Sequence, residues 1–187
     1  MKRIEFFKQS IKNLKEVGTI TRSSKFVCKE MINHVDFAKS KVLVELGAGD
    51  GVITKHILKA MGPNTKLLSF EVNSAFCDVM RGIDDDRLIV VEDSAEFLQK
   101  HIDELGMGQP DFIISAIPFV SLPEELSYSI VRKSKKALKH KGKYIQIHYS
   151  LLVKKMYKTV FGNVDVNFVP LNIPPAFILV SEKRDDN

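Results

Sequence analysis

The sequence predicts an α/β fold built on one mostly parallel sheet with helices on both faces. An alternating, β-branched run begins at Val42, breaks into glycines at every second position over 47–51, and resumes with helical periodicity, the pattern of a strand, a tight turn and a helix. Strand and helix patterns then alternate as far as Tyr149. Two further alternating runs, 164–169 and 177–182, are typical of an antiparallel pair. These observations predict five strands from βαβ units followed by a terminal hairpin.

An N-terminal helical segment over residues 1–40 is predicted to precede the main domain over residues 41–187, and we expect the two to make one structural domain. Residues 3–17 place apolar side chains on one stripe of a helix and lysines on another. Such a basic helix can pack on the domain as a lid, or it can bind an anionic membrane surface; the sequence leaves both open. The Ser-Ser pair before Lys25 can cap a second helix that runs to about Ala38.

The glycine-rich turn after the first predicted strand indicates a cofactor loop. Gly47, Gly49 and Gly51 allow a positive φ and a close approach of the backbone to a ligand. Glu45 precedes the turn and Asp50 lies inside it, and acidic side chains would repel the pyrophosphate of a dinucleotide. We therefore expect a positively charged ligand with an adenosine and no phosphate. S-adenosylmethionine fits this description, and Glu45 is expected to orient its amino group, directly or through water.

The second and third predicted strands lead to carboxylates. The strand over 66–72 contains Glu71, about 20 residues beyond the glycine turn, where an acid accepts hydrogen bonds from the ribose hydroxyls of a nucleoside. A helix over 74–81 and a strand over 88–91 follow, and the strand leads to Asp93. Asp93 is either a ligand-binding residue or the N-cap of a helix.

The remaining segments complete the alternating series. A fourth strand over 111–115 leads into Ala116-Ile-Pro-Phe119, and its carboxyl end is expected to lie beside the switch point where ligands bind in open α/β sheets. The sequence then predicts a basic helix over 123–140, a fifth strand over 143–149 and a short basic helix over 151–161. Substrate is expected to meet the cofactor beyond the fourth strand.

The E-L-G-x-G-D-G pattern over 45–51 resembles the first motif of class I S-adenosylmethionine-dependent methyltransferases, and the later motifs of that family follow in order. The resemblance implies a Rossmann-like sheet of order 3-2-1-4-5-7-6 in which only strand 7 is antiparallel. It also implies that Asp93 and Ala95 contact the adenine. The full cofactor site predicted in this way is Glu45, Gly47, Ala48, Gly49, Gly51, Glu71, Val72, Asn73, Asp93, Ser94, Ala95 and Ser115.

Within that superfamily the chain is similar, over nearly its whole length, to bacterial phospholipid N-methyltransferases, which themselves resemble rRNA adenine dimethylases. Besides the basic N-terminal helix, the similarity rests on the segments 17–24, 115–119, 146–149 and 172–176. The chain departs from the lipid family at Arg22, where a proline is common.

The segment after the fourth strand separates these two kinds of enzyme. Adenine-N6 methyltransferases place an Asn-Pro-Pro-Tyr type tetrapeptide there, and its amide holds the exocyclic amine while its aromatic ring stacks on the base. In this chain the amide position is Ala116, where the lipid family commonly has glycine. An adenine-specific clamp is therefore missing, although Pro118 and Phe119 remain.

The resemblance implies a phospholipid or aminolipid substrate whose amine must be aligned with the methyl donor and must lose a proton before it attacks. Tyr149 is the residue predicted to position or deprotonate the amine, and Ser115 is the second residue predicted to take part in catalysis. His148 ranks behind Tyr149, because strand alternation sends it to the opposite face. Tyr149 can equally be an aromatic residue of the core.

The charges are strongly segregated along the chain. The net charge is +5, yet residues 126–164 contain ten basic residues and no acid. Such a surface attracts anionic lipid or RNA, so an RNA methyltransferase, a small-molecule methyltransferase and a binding-only module stay as alternatives. No apolar run is long enough to span a bilayer, and Cys28 and Cys77 lack metal-ligand spacing, so we expect no metal. We expect a cytoplasmic protein and leave open peripheral contact with the inner face of the membrane.

Overall fold

One seven-stranded sheet carries the fold in the computed structural model, which describes residues 24–185. The strands are β1 (Val42–Leu46), β2 (Lys66–Glu71), β3 (Leu88–Glu92), β4 (Phe112–Ser115), β5 (Lys143–His148), β6 (Asp165–Val169) and β7 (Ala176–Glu182). The helices, numbered from the first one described, are α1 (Lys25–Asn33), α2 (Val52–Ala60), α3 (Ser74–Arg81), α4 (Leu98–Glu104), α5 (Glu124–Ala137) and α6 (Lys154–Phe161). Short 3-10 turns follow β3 (Ala95–Phe97) and β4 (Phe119–Ser121).

The strand order confirms the predicted Rossmann-like architecture. The order is β3-β2-β1-β4-β5-β7-β6, the pairs among β1 to β5 are parallel, and β7 is antiparallel to both β5 and β6. Strands β1 to β5 therefore all end at one edge of the sheet, called the carboxyl edge below. Because β7 is antiparallel to β5, the loop from β6 to β7 also lies at this edge. The switch point falls between β1 and β4, where ligands of such sheets bind.

Side chains of the central strands enter two separate core layers. Val44 and Leu46 of β1 pack in the layer under α4, α5 and α6, whereas Leu43 packs in the layer under α1 and α2. Both faces of the sheet are covered, which explains why its strands are apolar on both sides. Glu45 follows the alternation and lies on the same face as Leu43, beneath α2.

Three helical segments differ from the sequence prediction. Helix α1 begins after its predicted cap, with Ser24 Oγ accepting the Val27 amide at 3.4 Å, but it ends at Asn33 and not near Ala38. A turn replaces the last predicted part, and in it the Ser40 hydroxyl donates to the carbonyl of Asp36 at 2.6 Å. The helix after β4 ends at Ala137 and the one after β5 begins at Lys154, so both are shorter than predicted.

The sequence prediction gave no bounds for helix α4, although it allowed a helix capped by Asp93 in this segment; the helix begins at Leu98. Leu98 and Ile102 bury one face of this helix in the core. The helix predicted over residues 3–17 lies outside the described residues, and so does the role assigned to it at membranes. Within residues 24–185, no helix has the length and apolar character required to cross a bilayer.

Candidate cofactor and acceptor site

The turn between β1 and α2 is shaped by its three glycines. Gly47, Gly49 and Gly51 have φ values of +74°, +58° and +80°. A Cβ at Gly47 would lie 3.2 Å from Ile117 Cγ1, and a Cβ at Gly51 would lie 2.7 Å from Met80 Sδ, so both positions are closed by packing. A Cβ at Gly49 would meet nothing within 4 Å. The turn is thus held on both sides and open at its centre, which is the form expected of a ligand cradle.

The main chain of the turn is tied to the neighbouring strand. The amides of Gly47 and Ala48 both donate to the carbonyl of Phe70, at 2.9 and 3.1 Å. Phe70 is the register partner of Leu46, so the turn begins where β1 and β2 end together. The predicted cofactor residues on β1 and β2 are therefore brought to one place at the carboxyl edge.

Glu45 is a buried carboxylate with one unsatisfied oxygen. Its Oε2 accepts hydrogen bonds from the hydroxyls of Thr54, at 2.7 Å, and Ser69, its register partner on β2. Its Oε1 is buried and has no hydrogen-bond partner among the described residues. Burial raises the pKa of Glu45 to about 7 against these two hydrogen bonds, which lower it. An added donor, such as an ammonium group or a water, would satisfy Oε1 and favour the charged form.

Glu71 organises the carboxyl end of β2 with both of its oxygens. Oε1 accepts the amides of Val72 and Asn73 at 2.8 and 2.9 Å, and Oε2 accepts the amide of Gly49 at 2.8 Å. A carboxylate has about four acceptor positions, so about one is left for a ligand. The geometry thus supports a single direct hydroxyl contact. A clamp on two ribose hydroxyls, as the sequence predicts, would require Gly49 to release its hydrogen bond.

The segment after β3 pairs its acid with a histidine. Asp93 Oδ1 accepts the amide of Ser94 at 2.7 Å, and Asp93 Oδ2 lies 2.9 Å from His101 Nε2. The His101 ring packs edge-on against Phe70, with 5.6 Å between centroids. The cap of the following 3-10 turn is Ser94, whose hydroxyl accepts the Glu96 amide, so Asp93 is not a helix cap. Ala95 is buried.

Ser115 and Tyr149, the two residues predicted for catalysis, occupy different environments at the ends of β4 and β5. Ser115 is fully buried, and its hydroxyl accepts the Ile117 amide at 3.4 Å, so this side chain does not reach solvent. Tyr149 directly follows β5 and is half exposed at the carboxyl edge. Of the two residues predicted for catalysis, only Tyr149 thus presents its side chain at the surface.

Behind this edge lies a buried aromatic cluster. His148 Nε2 is 2.8 Å from the Tyr157 hydroxyl, and the Phe119 ring contacts both rings with centroid distances of 6.4 Å. Burial lowers the pKa of His148 to about 4, so its imidazole is neutral at physiological pH. Phe119 is buried, as expected of a core residue, and its ring faces the cluster.

Comparison with known proteins shows the family to which the chain belongs. The family model for the methyltransferase small domain matches residues 5–168, which is most of the chain. The chain belongs to this family. This methyltransferase is also 29% identical, over 163 residues, to an ornithine lipid N-methyltransferase from Singulisphaera acidiphila, and the match covers 86% of the chain and 85% of that relative.

Solved structures share the fold of this methyltransferase. An O-methyltransferase from Bacillus cereus in complex with SAH matches with a TM-score of 0.70 and 13% identity, covering 96% of this chain and 91% of that one. A precorrin-6y C5,15-methyltransferase from Geobacter metallireducens matches with a TM-score of 0.65 and 17% identity, covering 88% and 94%. Identities this low establish the class I fold and nothing about the substrate.

S-adenosylmethionine is the cofactor of this methyltransferase, as the sequence predicts. The described residues fit such a ligand at two points: the open side of the turn at Gly49 and the orphaned oxygen of Glu45. The assignment of individual contacts stays a prediction. Among residues 24–185, no cluster of three or more metal-ligating side chains occurs.

Three residues of the site are absent from the sequence prediction. Ser69 and Thr54 hold Glu45, and His101 holds Asp93. Ser69 left a signal, since it is the one small polar residue within the apolar part of β2. Thr54 and His101 lie on helices, and only the packing of those helices against the sheet shows which carboxylate each one meets.

Proposed function

We propose that this methyltransferase transfers methyl groups to the headgroup amine of a phospholipid or aminolipid at a membrane surface. The observation that carries the proposal is the similarity to the ornithine lipid N-methyltransferase. That match spans 163 residues, more than the cofactor-binding strands β1 to β4 and their connections could supply. It therefore extends into the half of the chain that would receive the methyl acceptor.

Residues of this chain would divide the chemistry as follows. The bound cofactor supplies an electrophilic methyl group. Glu45 and Glu71 would hold its amino group and ribose, and the turn at Gly49 would leave room for its body. Tyr149 would hold the acceptor amine at the carboxyl edge, and its hydroxyl would relay the proton of the amine to solvent. Most of the acceleration would come from alignment of the amine, since methyl transfer is an in-line displacement.

Two features weigh against an adenine acceptor. Ala116 offers no side-chain amide to hold an exocyclic amine. Phe119 is buried against His148 and Tyr157, so its ring is not presented for stacking on a base. The RNA alternative would need other residues for both tasks, whereas a lipid amine needs neither.

The test is a methyl-transfer assay with three acceptor pools. The protein is incubated with methyl-labelled S-adenosylmethionine and with total lipid extract, the same extract after N-acetylation, or total RNA. We expect label in the untreated lipid only, because acetylation blocks primary amines. The Glu71→Ala variant serves as the matched control and should lose the signal. Label in RNA alone, or in none of the pools, would overturn the proposal.

A further inference from the structure

Large apolar side chains face solvent at the part of the carboxyl edge formed by β5, β6 and β7, where the methyl acceptor is expected; this part is called the acceptor side below. Leu152 and Ile173 are 83% and 85% exposed, Leu171 is 66% exposed, and Leu151 is 40% exposed. These four residues are called the apolar rim below. Scattered exposed apolar residues are common, but several of this size at one edge mark an interaction site.

The two loops that carry the apolar rim adjoin neighbouring strands at the same end of the sheet. Leu151 and Leu152 follow the end of β5, and Leu171 and Ile173 lie between β6 and β7. His148, at the end of β5, is the register partner of Phe177, near the start of β7. Neighbouring strands lie about 4.8 Å apart, so both loops project from one short stretch of the sheet edge.

The loop between β6 and β7 buries its polar residue and exposes its apolar ones. Asn172 is 2% exposed, its amide side chain donates to the Pro174 carbonyl at 2.6 Å, and its main-chain amide donates to the Val169 carbonyl. The residues on either side, Leu171 and Ile173, point outward. This arrangement inverts the usual preference of side chains for core and solvent. The loop is therefore fixed by its own hydrogen bonds in a form that presents two apolar side chains.

A basic surface adjoins the apolar rim. Lys154, Lys155 and Lys158 are exposed on α6, which begins two residues after Leu152. The segment 126–164, to which these lysines belong, contains no acidic residue. A second copy of the chain would bring the same lysines against their own kind, at an electrostatic cost. An anionic lipid surface matches both features, since it offers apolar chains beneath negative headgroups.

We propose that the apolar rim inserts into an anionic membrane, with the lysines of α6 at headgroup level. This proposal deepens the proposed function and rests on it for its purpose: the rim would bring Tyr149, two residues before Leu151, to the depth of a headgroup amine. It assigns membrane contact to described residues, independently of the helix predicted over residues 3–17.

The absence of tryptophan from the chain makes the proposal directly measurable. Single tryptophans are placed by Leu152→Trp and Ile173→Trp, and a matched control by Leu105→Trp. Leu105 is 45% exposed at the end of α4, at the opposite edge of the sheet. Each full-length variant is mixed with vesicles of phosphatidylglycerol and phosphatidylcholine, with and without bromine on the acyl chains. Neither lipid has a methylatable amine, so the reading does not depend on catalysis.

We expect the tryptophans at 152 and 173 to shift to the blue on addition of vesicles and to be quenched by the brominated chains. The tryptophan at 105 should do neither. Absence of quenching at both rim positions overturns the proposal, whether or not the protein binds the vesicles. A blue-shifted emission without vesicles also overturns the proposal. If that emission did not change with protein concentration, another segment of the chain would cover the rim. If it did change, a second copy of the chain would cover it.

A double substitution tests the energetic role of the rim. Leu152→Ser with Ile173→Ser should weaken vesicle affinity by at least about tenfold, because each exposed side chain would lose its transfer into hydrocarbon. Leu105→Ser should leave vesicle affinity unchanged. Failure of the labelled-methyl assay on lipid would overturn the proposed function without touching this result. Unchanged vesicle affinity in the double variant would overturn the rim while leaving methyl transfer to lipid in place.

Discussion

The two sides of the carboxyl edge are built differently. On the side of β1, β2 and β3, the strands lead into carboxylates that internal hydrogen bonds hold, as in the three amides donated to Glu71. On the side of β5, β6 and β7, the loops end in exposed leucine and isoleucine side chains beside lysines. The first side can recognise a small ligand of fixed shape. The second offers contacts that need no fixed partner geometry, as suits a surface that is fluid.

The largest expected effect comes from replacing Glu71, on the side of β1, β2 and β3. Glu71→Ala leaves the amides of Gly49, Val72 and Asn73 without their acceptor and removes the contact predicted for the ribose. We expect the affinity for S-adenosylmethionine to fall by about 3 kcal/mol, or about a hundredfold. Isothermal titration calorimetry measures this affinity. Vesicle affinity of the same variant should not change, and unaltered cofactor affinity would remove Glu71 from the site.

Next in size is the pH dependence that Glu45 imposes on folding. Its pKa is raised from 4.5 to about 7, so its stabilising contribution is present at low pH and is lost as pH rises towards 7. Glu45→Gln removes this loss. Relative to the wild type, the variant should therefore gain about 2 kcal/mol of unfolding free energy between pH 5 and pH 8.

Urea unfolding at the two pH values measures the difference. The contribution of His148 to folding stability changes with pH in the opposite direction. Its pKa is lowered from 6.5 to about 4, so its stabilising contribution is present above pH 6.5 and is lost as pH falls through 4. Both chains carry His148, so the comparison of variant with wild type cancels it. Parallel stability profiles of the two proteins would show that Glu45 is ionised in the folded state throughout this range.

The smallest expected effect concerns Tyr149 on the acceptor side. Tyr149→Phe keeps the ring and removes the hydroxyl, so kcat for lipid methylation should fall by about tenfold while cofactor affinity stays the same. Tyr128→Phe is the matched control, since Tyr128 lies on α5 beneath Arg132. Equal kcat values in the two variants would make Tyr149 a structural aromatic, the alternative that the sequence left open.

Local chemistry explains which features the sequence could predict. The turn at Gly47 was predictable because its glycines adopt the positive φ values that their spacing suggests. The bounds of helix α4 could not be predicted because its buried face consists of only Leu98 and Ile102, a single pair four residues apart. The early end of α1 is closed by the amides of His34 and Val35, which donate to the carbonyls of Met31 and Ile32, and no glycine or proline marks it.

The candidate site likewise contains some residues that the sequence could predict and others that it could not. Glu45 and Glu71 were predictable from their distance to the glycine turn, but the partners of Glu45 depend on the register of β1 with β2 and on the packing of α2. The exposure of Leu152 and Ile173 runs against the residue type, so sequence patterns favour burial at both positions. Only the placement of β7 beside β5 shows that the two loops meet.

The most direct test of this division compares two variants on two affinities. Glu71→Ala and the double variant Leu152→Ser, Ile173→Ser are each measured for S-adenosylmethionine affinity, for affinity to phosphatidylglycerol vesicles, and for methyl transfer to aminolipid in such vesicles. We predict that both variants lose methyl transfer, but that the first loses only cofactor affinity and the second only vesicle affinity. Loss of both affinities in either variant, with the fold intact by circular dichroism, would contradict the account.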